Sequence, residues 1–261
     1  MTPSVFITID DVSKSFKNRE ESLVVLEHIT AQIYRGELVS ILGESGCGKS
    51  TLLNLIGGFE QASEGTVTME GEIVTRPSRR GVMLFQNYGL LPWRSVIRNV
   101  ELGLENTELN QKERRERANF YVRLVGLGDK AGMYPHELSG GMQQRVAIAR
   151  ALAIEPELIL MDEPFAALDT FNRYYLQDEL LTIQEKSKTT IVLVTHDIDE
   201  AIYLSDRVFI MDSKPGRIKK ELVITTQRPR DRGHGDFQHY RKLILDEFHF
   251  NRPNASIEYN I

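Results

Sequence analysis

A glycine-rich segment directly after a short apolar run is the feature that most constrains how this chain can fold. The segment fits the pattern G-x-x-x-x-G-K-[ST] and reads Gly43-Glu44-Ser45-Gly46-Cys47-Gly48-Lys49-Ser50-Thr51. Residues 38–42 before it are rich in strand-forming residues, and residues 50–56 after it have helix-compatible composition. The sequence therefore predicts a strand, a glycine-rich loop and a helix in direct succession.

The residue types in this loop indicate a phosphate site. Glycines allow backbone N–H groups to converge on phosphate oxygens, and the positive end of the following helix adds to the attraction. Lys49 would supply a cation toward the β and γ phosphates, and the hydroxyl of Ser50 would bind Mg²⁺. Cys47 occupies a variable position and is interpreted as filler. The alternative is a structural glycine turn with a surface lysine.

Composition predicts a globular protein of one large domain or two small lobes. The 261 residues are 41% hydrophobic and 26% charged, which is close to average soluble usage. The net charge of -5 provides no overall basic field, so nucleic acid is not expected as a partner. The single cysteine cannot form an internal disulfide or a thiolate metal cluster.

No stretch of the sequence reaches the about 18 apolar residues that a membrane-spanning helix needs. The amino terminus lacks a basic region followed by an apolar core, so secretion is not expected. Any role at a membrane would therefore come through partners of a cytosolic protein.

The order of predicted elements indicates an α/β fold. Strands are predicted at residues 6–12, 28–34, 38–42, 65–74 and 81–86, and helical patterns dominate residues 87–155, above all 111–125 and 142–153. Strands at 158–161, 190–195 and 207–211 then alternate with helices at 170–186 and 198–204, as in a parallel sheet. The tail from residue 225 combines a basic, proline-containing loop with a helix at 237–248.

A second motif is an apolar strand, residues 158–161, that ends in two carboxylates, Asp162 and Glu163. Two buried carboxylates would be costly without cationic partners. Because adjacent strand residues point to opposite faces, the two are expected to have different tasks if the strand geometry persists. Asp162 would hold Mg²⁺, and Glu163 would act as the base that orients the attacking water. The alternative is a solvated acidic turn before Pro164.

A glycine pair that enters a long helix is the third motif, and it reads Leu138-Ser139-Gly140-Gly141-Met142-Gln143-Gln144-Arg145. Ser139 is a plausible N-cap, and such a helix start is a second anion site. Two separate phosphate sites in one chain suit an arrangement in which two chains share nucleotides. An ordinary capped helix is the alternative.

This third motif resembles the signature of ATP-binding cassette proteins, and the three motifs stand in the order of that family. The resemblance covers nearly the whole chain. It implies an α/β fold with a P-loop NTPase (RecA-like) core, an antiparallel β part and an inserted α-helical lobe. Residues 1–86 and 156–224 would form the core, 87–155 the lobe and 225–261 the tail.

The resemblance also implies a head-to-tail dimer that binds ATP and Mg²⁺. Ser139, Gly140 and Gly141 of one subunit, together with Gln143, would close over ATP held by residues 43–51 of the other. Further positions match one by one: Gln86 resembles the glutamine that senses Mg²⁺ and γ-phosphate, Asp169 belongs to the D-loop, His196 resembles the switch histidine, and Phe16 matches the aromatic residue that stacks on adenine. Ala167 stands where the family more often has serine.

A single free-standing cassette resembles the ATPase subunit of a bacterial importer, at the cytoplasmic face of the membrane. Residues 85–94, FQNYGLLPWR, are similar to the group that imports nitrate, sulfonates, taurine and bicarbonate. Separate permease subunits would be direct partners, and a substrate-binding protein an indirect one. Two other readings stay open: a phosphate-loop kinase of small molecules and a regulatory cassette that does not hydrolyse ATP.

Two segments outside the motifs allow opposite interpretations. Leu90, Leu91 and Trp93 could form an apolar seat for a partner helix, or Trp93 could pack inside the helical lobe. Arg228, Arg230 and Arg232 could contact phosphates, but a solvated loop is the preferred reading. The histidines of the tail, His234, His239 and His249, lack a convincing metal spacing, so no zinc site is assigned.

Overall fold

The computed structural model describes residues 4–17, 22–84 and 88–249. The strands of this part are β1 (Val5–Lys17), β2 (Ser22–Tyr34), β3 (Leu38–Leu42), β4 (Glu64–Met69), β5 (Glu72–Ile73), β6 (Gly81–Leu84), β7 (Leu158–Asp162), β8 (Thr190–Thr195), β9 (Arg207–Asp212) and β10 (Arg217–Val223). The helices are α1 (Lys49–Gly57), α2 (Val96–Leu104), α3 (Gln111–Leu124), α4 (Gly140–Ala153), α5 (Thr170–Ser187), α6 (Ile198–Leu204) and α7 (Gly235–His249). Short 3-10 helices span Gly128–Lys130 and Pro135–Glu137.

A six-stranded sheet forms the centre of the molecule, in the order β10-β9-β3-β8-β7-β6. Strands β9, β3, β8, β7 and β6 pair in parallel, and β10 is an antiparallel edge. Every residue of β3, β7 and β8 is buried, as expected for parallel strands that are covered on both faces. The carboxyl ends of β3, β8 and β7 therefore meet at one edge of the sheet, with β8 in the middle.

A second, antiparallel sheet has the order β2-β1-β4-β5. Its inner face packs with α1 and part of the central sheet in one apolar cluster that includes Phe6, Ile9, Ile41 and Leu52. The other cluster joins α2, α3 and α4 to the opposite face of the central sheet. The predicted α/β class with an antiparallel part is confirmed, whereas the exact division into core, lobe and tail stays a prediction.

Several predicted boundaries were wrong for local reasons. The run 65–74 divides into β4 and β5, because Glu70 and Gly71 form a turn with φ of 51° and 83°. Strand β10 was not predicted: its charged residues hide the strand, and only its pairing with β9 reveals it. Helix α2 lies within residues 87–155, where helical patterns were predicted without separate bounds for this helix. The predicted strand at 81–86 is described only as far as Leu84, so its end lies outside the described residues.

The basic loop, residues 225–234, is not solvated as preferred from sequence. Arg230 is buried, and its guanidinium donates to the carbonyl oxygens of Ile202 at 2.6 Å and Ser205 at 2.7 Å. The guanidinium of Arg232 lies over the rings of Tyr174 and Tyr203, 3.9 and 3.6 Å from their centroids. The basic loop thus attaches the tail to helices α5 and α6.

Candidate functional site

Three loops with functional residues converge where the parallel strands of the central sheet end. The loop of residues 43–48 follows β3, Glu163 follows β7, and His196 follows β8. Pairing of β8 with both β3 and β7 sets the mutual positions of the three loops. Two of the sequence motifs, far apart along the chain, are thereby brought to one edge.

The glycine-rich loop wraps around the ammonium group of Lys49. This side chain is buried, and its Nζ donates to the carbonyl oxygens of Gly43 at 2.9 Å and Glu44 at 2.8 Å. Gly48 caps α1 with φ of 96°, in the left-handed region that favours glycine. Ser50 and Thr51 lie in the first turn of α1, and Glu44, Ser45 and Gly46 are exposed. The loop thus presents a cation and exposed backbone at a helix start.

Cys47 has a definite packing role rather than being filler. Its side chain is buried, and burial raises the pKa of the thiol. A Cβ atom at Gly43 would lie 2.7 Å from Cys47 Sγ, so the cysteine fills the space that the glycine leaves. The thiol therefore helps to hold the loop closed from beneath.

Asp162 and Ser50 form the candidate magnesium site. Asp162 is buried, burial raises the pKa of its carboxyl group, and a hydrogen bond from Ser50 opposes that rise. Its Oδ1 atom has no hydrogen-bond partner among the described residues. A carboxylate oxygen that is buried without a partner, beside a hydroxyl, fits a divalent cation that prefers oxygen ligands. Gln86, the third predicted magnesium residue, lies outside the described residues.

Glu163 and His196 form a contact pair. The strand geometry ends at Asp162, and Glu163 has φ of 48°, so the alternation argued from sequence does not extend to this residue. The two carboxylates nevertheless differ as expected: Asp162 is buried, whereas Glu163 is partly exposed and its Oε1 lies 3.0 Å from Nδ1 of His196. Such a pair places a carboxylate that can accept a proton from water next to an imidazole that can bind a phosphate oxygen.

The signature segment starts α4. Ser139 is its N-cap and accepts a hydrogen bond from the backbone N–H of Met142 at 3.3 Å. Ser139 and Gly140 are exposed, whereas a Cβ atom at Gly141 would lie 3.2 Å from Leu168. Gln143 donates its amide to the carbonyl oxygens of Pro135 and Leu138, at 3.0 and 3.3 Å, so it braces the segment from within.

Two further predicted nucleotide contacts are at the surface. Asp169 is the N-cap of α5 and accepts from Asn172, and these hydrogen bonds lower the pKa of its carboxyl group. Phe16 lies near the end of β1 and is 40% exposed, with the ammonium of Lys14 4.7 Å from the ring centroid. An exposed ring of this kind is available for stacking.

Sequence reasoning missed Gln144, which connects two of the motifs. It is buried, and its Nε2 donates to the carbonyl oxygen of Pro164, with that of Glu163 at 3.5 Å. The start of α4 is therefore fastened to the segment that carries the candidate base. Its place within the signature run was the signal that could have identified it.

Comparison with known proteins defines the class. A family profile described as ABC transporter matches residues 26–166. The chain is 46% identical to the aliphatic sulfonates import ATP-binding protein SsuB of Bacillus subtilis, over 93% of this chain and 94% of that one. It is 42% identical to the bicarbonate transport ATP-binding protein CmpD of Synechocystis, over 98% and 89% of the two chains.

A solved structure agrees with these relatives. The dimeric ATP-binding cassette MJ0796, in a post-hydrolysis state bound to ADP and Pi, superposes with a TM-score of 0.77 and is 35% identical, over 85% of this chain and all of that one. The chain belongs to the ABC transporter family. It is an ATP-binding and ATP-hydrolysing cassette, and the prediction of an importer ATPase subunit is confirmed.

The described residues contain neither a membrane-spanning helix nor a cluster of metal-binding side chains. No helix among them is both long and apolar enough to cross a bilayer. Within residues 4–17, 22–84 and 88–249, no group of three or more His, Cys, Asp and Glu side chains could hold a metal ion.

Proposed function

We propose that two copies of this chain bind two ATP molecules at the cytoplasmic face of the membrane and, by closing and hydrolysing them, drive permease subunits that import a small anion. The observation that carries the proposal is the 3.0 Å contact between Glu163 Oε1 and His196 Nδ1 at the strand edge that also holds Lys49. A base, a histidine and a buried lysine at one edge are the parts that phosphate transfer to water requires.

The residues divide the work as follows. Lys49 leaves the carbonyl oxygens of Gly43 and Glu44 and pairs with the β and γ phosphates, while loop N–H groups bind the remaining oxygens. Phe16 stacks on adenine. Glu163 takes a proton from the water that attacks the γ-phosphorus, the bond to the ADP oxygen breaks, and His196 holds the γ-phosphate oxygen. Ser50, Asp162 and Gln86 would hold Mg²⁺, which would neutralise charge on the phosphates.

The signature completes the site from the second copy. Ser139 and Gly140 are exposed at the start of α4, where the helix offers unpaired N–H groups to an anion. Gly141, Gln143 and Asp169 support this surface from the same side of the partner. The dimeric state of the structurally similar cassette supports the arrangement.

The base assignment is tested with Glu163→Gln. This variant keeps the shape of the side chain but not its basicity, so we expect ATP binding within about threefold of wild type and hydrolysis lowered by at least about a hundredfold. Glu72→Gln, at an exposed glutamate of β5, is the matched control and should hydrolyse ATP normally. Normal hydrolysis by Glu163→Gln contradicts the assignment, and phosphate transfer to an added acceptor would point to a kinase instead.

The cargo that we propose is an aliphatic sulfonate. The relatives named for aliphatic sulfonate import support this class, and the bicarbonate relative represents the same chemistry, a small oxyanion. The substrate-binding protein and the permease would select the anion, because no part of the nucleotide site recognises it.

Growth of a deletion strain tests the cargo. We expect loss of growth with ethanesulfonate or taurine as sole sulfur source, with normal growth on sulfate. Restoration by the wild-type gene, but not by the Glu163→Gln gene, would link uptake to hydrolysis. Normal growth on sulfonates together with a requirement for high carbon dioxide would contradict the sulfonate assignment in favour of bicarbonate.

The contact with the permease is proposed at residues 88–94. Trp93 is 70% exposed, which favours the partner seat over packing inside the helical lobe. Leu90 packs against the apolar cluster of the lobe, and Asn99 accepts from the backbone N–H of Leu91 at 2.8 Å. The indole is therefore presented from a well-braced turn, directly after the segment that contains Gln86.

A further inference from the structure

Glu200 is a buried carboxyl group that the proposed reaction does not use. It lies in α6, four residues after His196, and its side chain is 7% exposed. Burial raises its pKa to about 7. An acid in such a place costs free energy unless neighbouring groups bind it, so its partners indicate what it does.

One oxygen of Glu200 is connected to the loop that carries His196. The hydroxyl of Thr195, the last residue of β8, donates to Glu200 Oε2 at 2.7 Å. The same hydroxyl oxygen accepts a hydrogen bond from the backbone N–H of Asp197 at 3.0 Å. Thr195 and Asp197 flank His196 on either side, so these two bonds fix the backbone on which the histidine is mounted.

The other oxygen of Glu200 is connected to helix α5. Gln177 is fully buried, and its Nε2 donates to Glu200 Oε1 at 3.3 Å. Arg173, on the same helix, approaches this oxygen at 3.9 Å and Asp197 at 3.5 Å. The groups that face Glu200 are therefore Gln177 and Arg173 from α5, and Thr195, His196 and Asp197 from the histidine loop.

The tail of the chain supplies the next link. Arg232 Nη2 donates to Gln177 Oε1 at 2.6 Å, which fixes the orientation of the amide so that its nitrogen points at Glu200. The guanidinium is held in place between the rings of Tyr174 on α5 and Tyr203 on α6. A continuous series of hydrogen bonds thus runs from the basic loop through two buried side chains to the backbone around His196.

We propose that Arg232, Gln177, Glu200 and Thr195 form a positioning relay through which the tail of the chain sets the position of His196 beside Glu163. None of the four is a catalytic residue. The relay rests on the proposed role of His196 in hydrolysis. It also makes hydrolysis depend on the basic loop: if this loop moved away from α5 and α6, His196 would be held less firmly, and turnover would slow without any change in the phosphate loop.

Two pairs of variants test the relay. Thr195→Val removes the hydroxyl but keeps the shape, whereas Thr195→Ser keeps the hydroxyl. Arg232→Met keeps an apolar chain between the two tyrosines but removes the hydrogen bond. Its matched control is Arg241→Met. Arg241 is a half-exposed arginine of α7 that pairs with Asp199 of α6 at 3.1 Å, outside the relay. Melting temperatures of all variants show which of them fold.

The expected result is a change in turnover and not in nucleotide affinity. Thr195→Val should lower kcat about tenfold and Arg232→Met at least about threefold, with KM for ATP within about twofold of wild type. Thr195→Ser and Arg241→Met should stay within about twofold in kcat. The double variant Thr195→Val with Arg232→Met should be no slower than Thr195→Val alone, because both changes interrupt one relay.

Full multiplication of the two kcat effects in the double variant would overturn the relay, and equal kcat values for Arg232→Met and Arg241→Met would mean that either the relay or the role of His196 is wrong. Exchange of the Asp197 amide hydrogen, measured without nucleotide, separates failure of the relay from failure of the proposed function. We expect at least about tenfold faster exchange in Arg232→Met than in Arg241→Met. If that holds while hydrolysis is insensitive to both, the relay exists and the role given to His196 is wrong; equal exchange overturns the relay itself.

Discussion

At the scale of single residues, the phosphate loop depends on conformations that only glycine adopts easily. Gly48 has φ of 96°, and a Cβ atom there would lie 2.6 Å from Leu26 Cδ2 and 3.2 Å from the carbonyl oxygen of Val25. Gly71 also has a positive φ, of 83°, but a Cβ atom there would have no atom within 4 Å. The two glycines thus separate the cost of the backbone angle from the cost of a collision.

Gly48→Ala should therefore destabilise the protein more than Gly71→Ala. We expect about 1 kcal/mol for Gly71→Ala, from the backbone angle alone, and about 3 kcal/mol or more for Gly48→Ala, from angle and collision together. Only Gly48→Ala should also weaken ATP binding, because Lys49 follows directly. Urea unfolding and nucleotide titration measure both effects, and equal stability of the two variants would contradict the steric argument.

Glu200 gives a second prediction at this scale, on pH. Its pKa is raised from the ordinary value of 4.5 to about 7, so the folded state binds the proton more tightly than the unfolded chain does. The free energy of unfolding should therefore fall as pH rises from about 4.5 to about 7 and level off above that range. The loss from this one group is about 3 kcal/mol.

Glu200→Gln should remove that loss. The free energy of unfolding of wild type and variant is measured in urea at pH 5 and at pH 8. The difference between the free energies at the two pH values gives the loss for each protein. Glu185→Gln, at an exposed glutamate of α5, should keep the wild-type difference. The same pH dependence in Glu200→Gln and wild type would contradict a raised pKa at this position.

At the scale of elements, side chains bind the backbone groups at both ends of α6, one from the adjacent residue and one from the basic loop. Its amino end is capped by Asp197, which accepts from the backbone N–H groups of Asp199 and Glu200. Its carboxyl end leaves carbonyl oxygens without helical partners, and Arg230 of the basic loop donates to those of Ile202, Tyr203 and Ser205. The helix has only seven residues and depends on these contacts.

Arg230→Ala should destabilise the protein by about 3 kcal/mol, because several buried carbonyl oxygens lose their donor at once. Arg241→Ala is the control, because it removes a nearby arginine that takes part only in a half-exposed ion pair. This variant should destabilise the protein by less than about 1 kcal/mol. Thermal unfolding of the two variants measures the difference. Similar melting temperatures would mean that the basic loop contributes little to α6.

These elements show which parts of the molecule the sequence could predict. Strands β3, β7 and β8 are largely apolar and fully buried, and the motifs follow them directly, so the sequence could predict that Lys49, Glu163 and His196 come just after the ends of these strands. The sequence did not predict strand β10 or the burial of Arg230, because both depend on distant partners. Strand β10 forms by pairing with β9, and Arg230 is buried against carbonyl oxygens at the end of α6. Gln144 and Glu200 were missed for the same reason.

At the scale of the whole molecule, the two proposed anion sites belong to different parts of the chain. The phosphate loop follows the central strand β3, whereas the signature begins α4, which packs with α2 and α3. Gln144 connects α4 to Pro164, the residue after Glu163, through a hydrogen bond. In the arrangement that we propose, a movement of α4 when a second copy closes over the nucleotide would therefore also change the position of Glu163. The functional unit we propose is therefore a pair of chains.

ATP should make Glu163→Gln dimerise, because this variant binds ATP without consuming it. The mass in solution, measured by light scattering with and without ATP and Mg²⁺, should double only with both. Adding Ser139→Arg should abolish the dimer, since a large cation would occupy the exposed helix start, while ATP still binds to the monomer. A monomer under every condition would contradict a nucleotide-driven pair and would reopen the kinase reading.

The position of β3 also has a consequence for how the protein is made. Among the described residues, β3 pairs only with β8 and β9, which begin at Thr190 and Arg207, whereas β3 itself ends at Leu42. At synthesis rates of about 5–20 residues per second, this largely apolar strand spends on the order of ten seconds outside the ribosome before a partner strand emerges. We therefore expect nascent chains that contain the phosphate loop to need protection by chaperones until the last third of the protein has been translated.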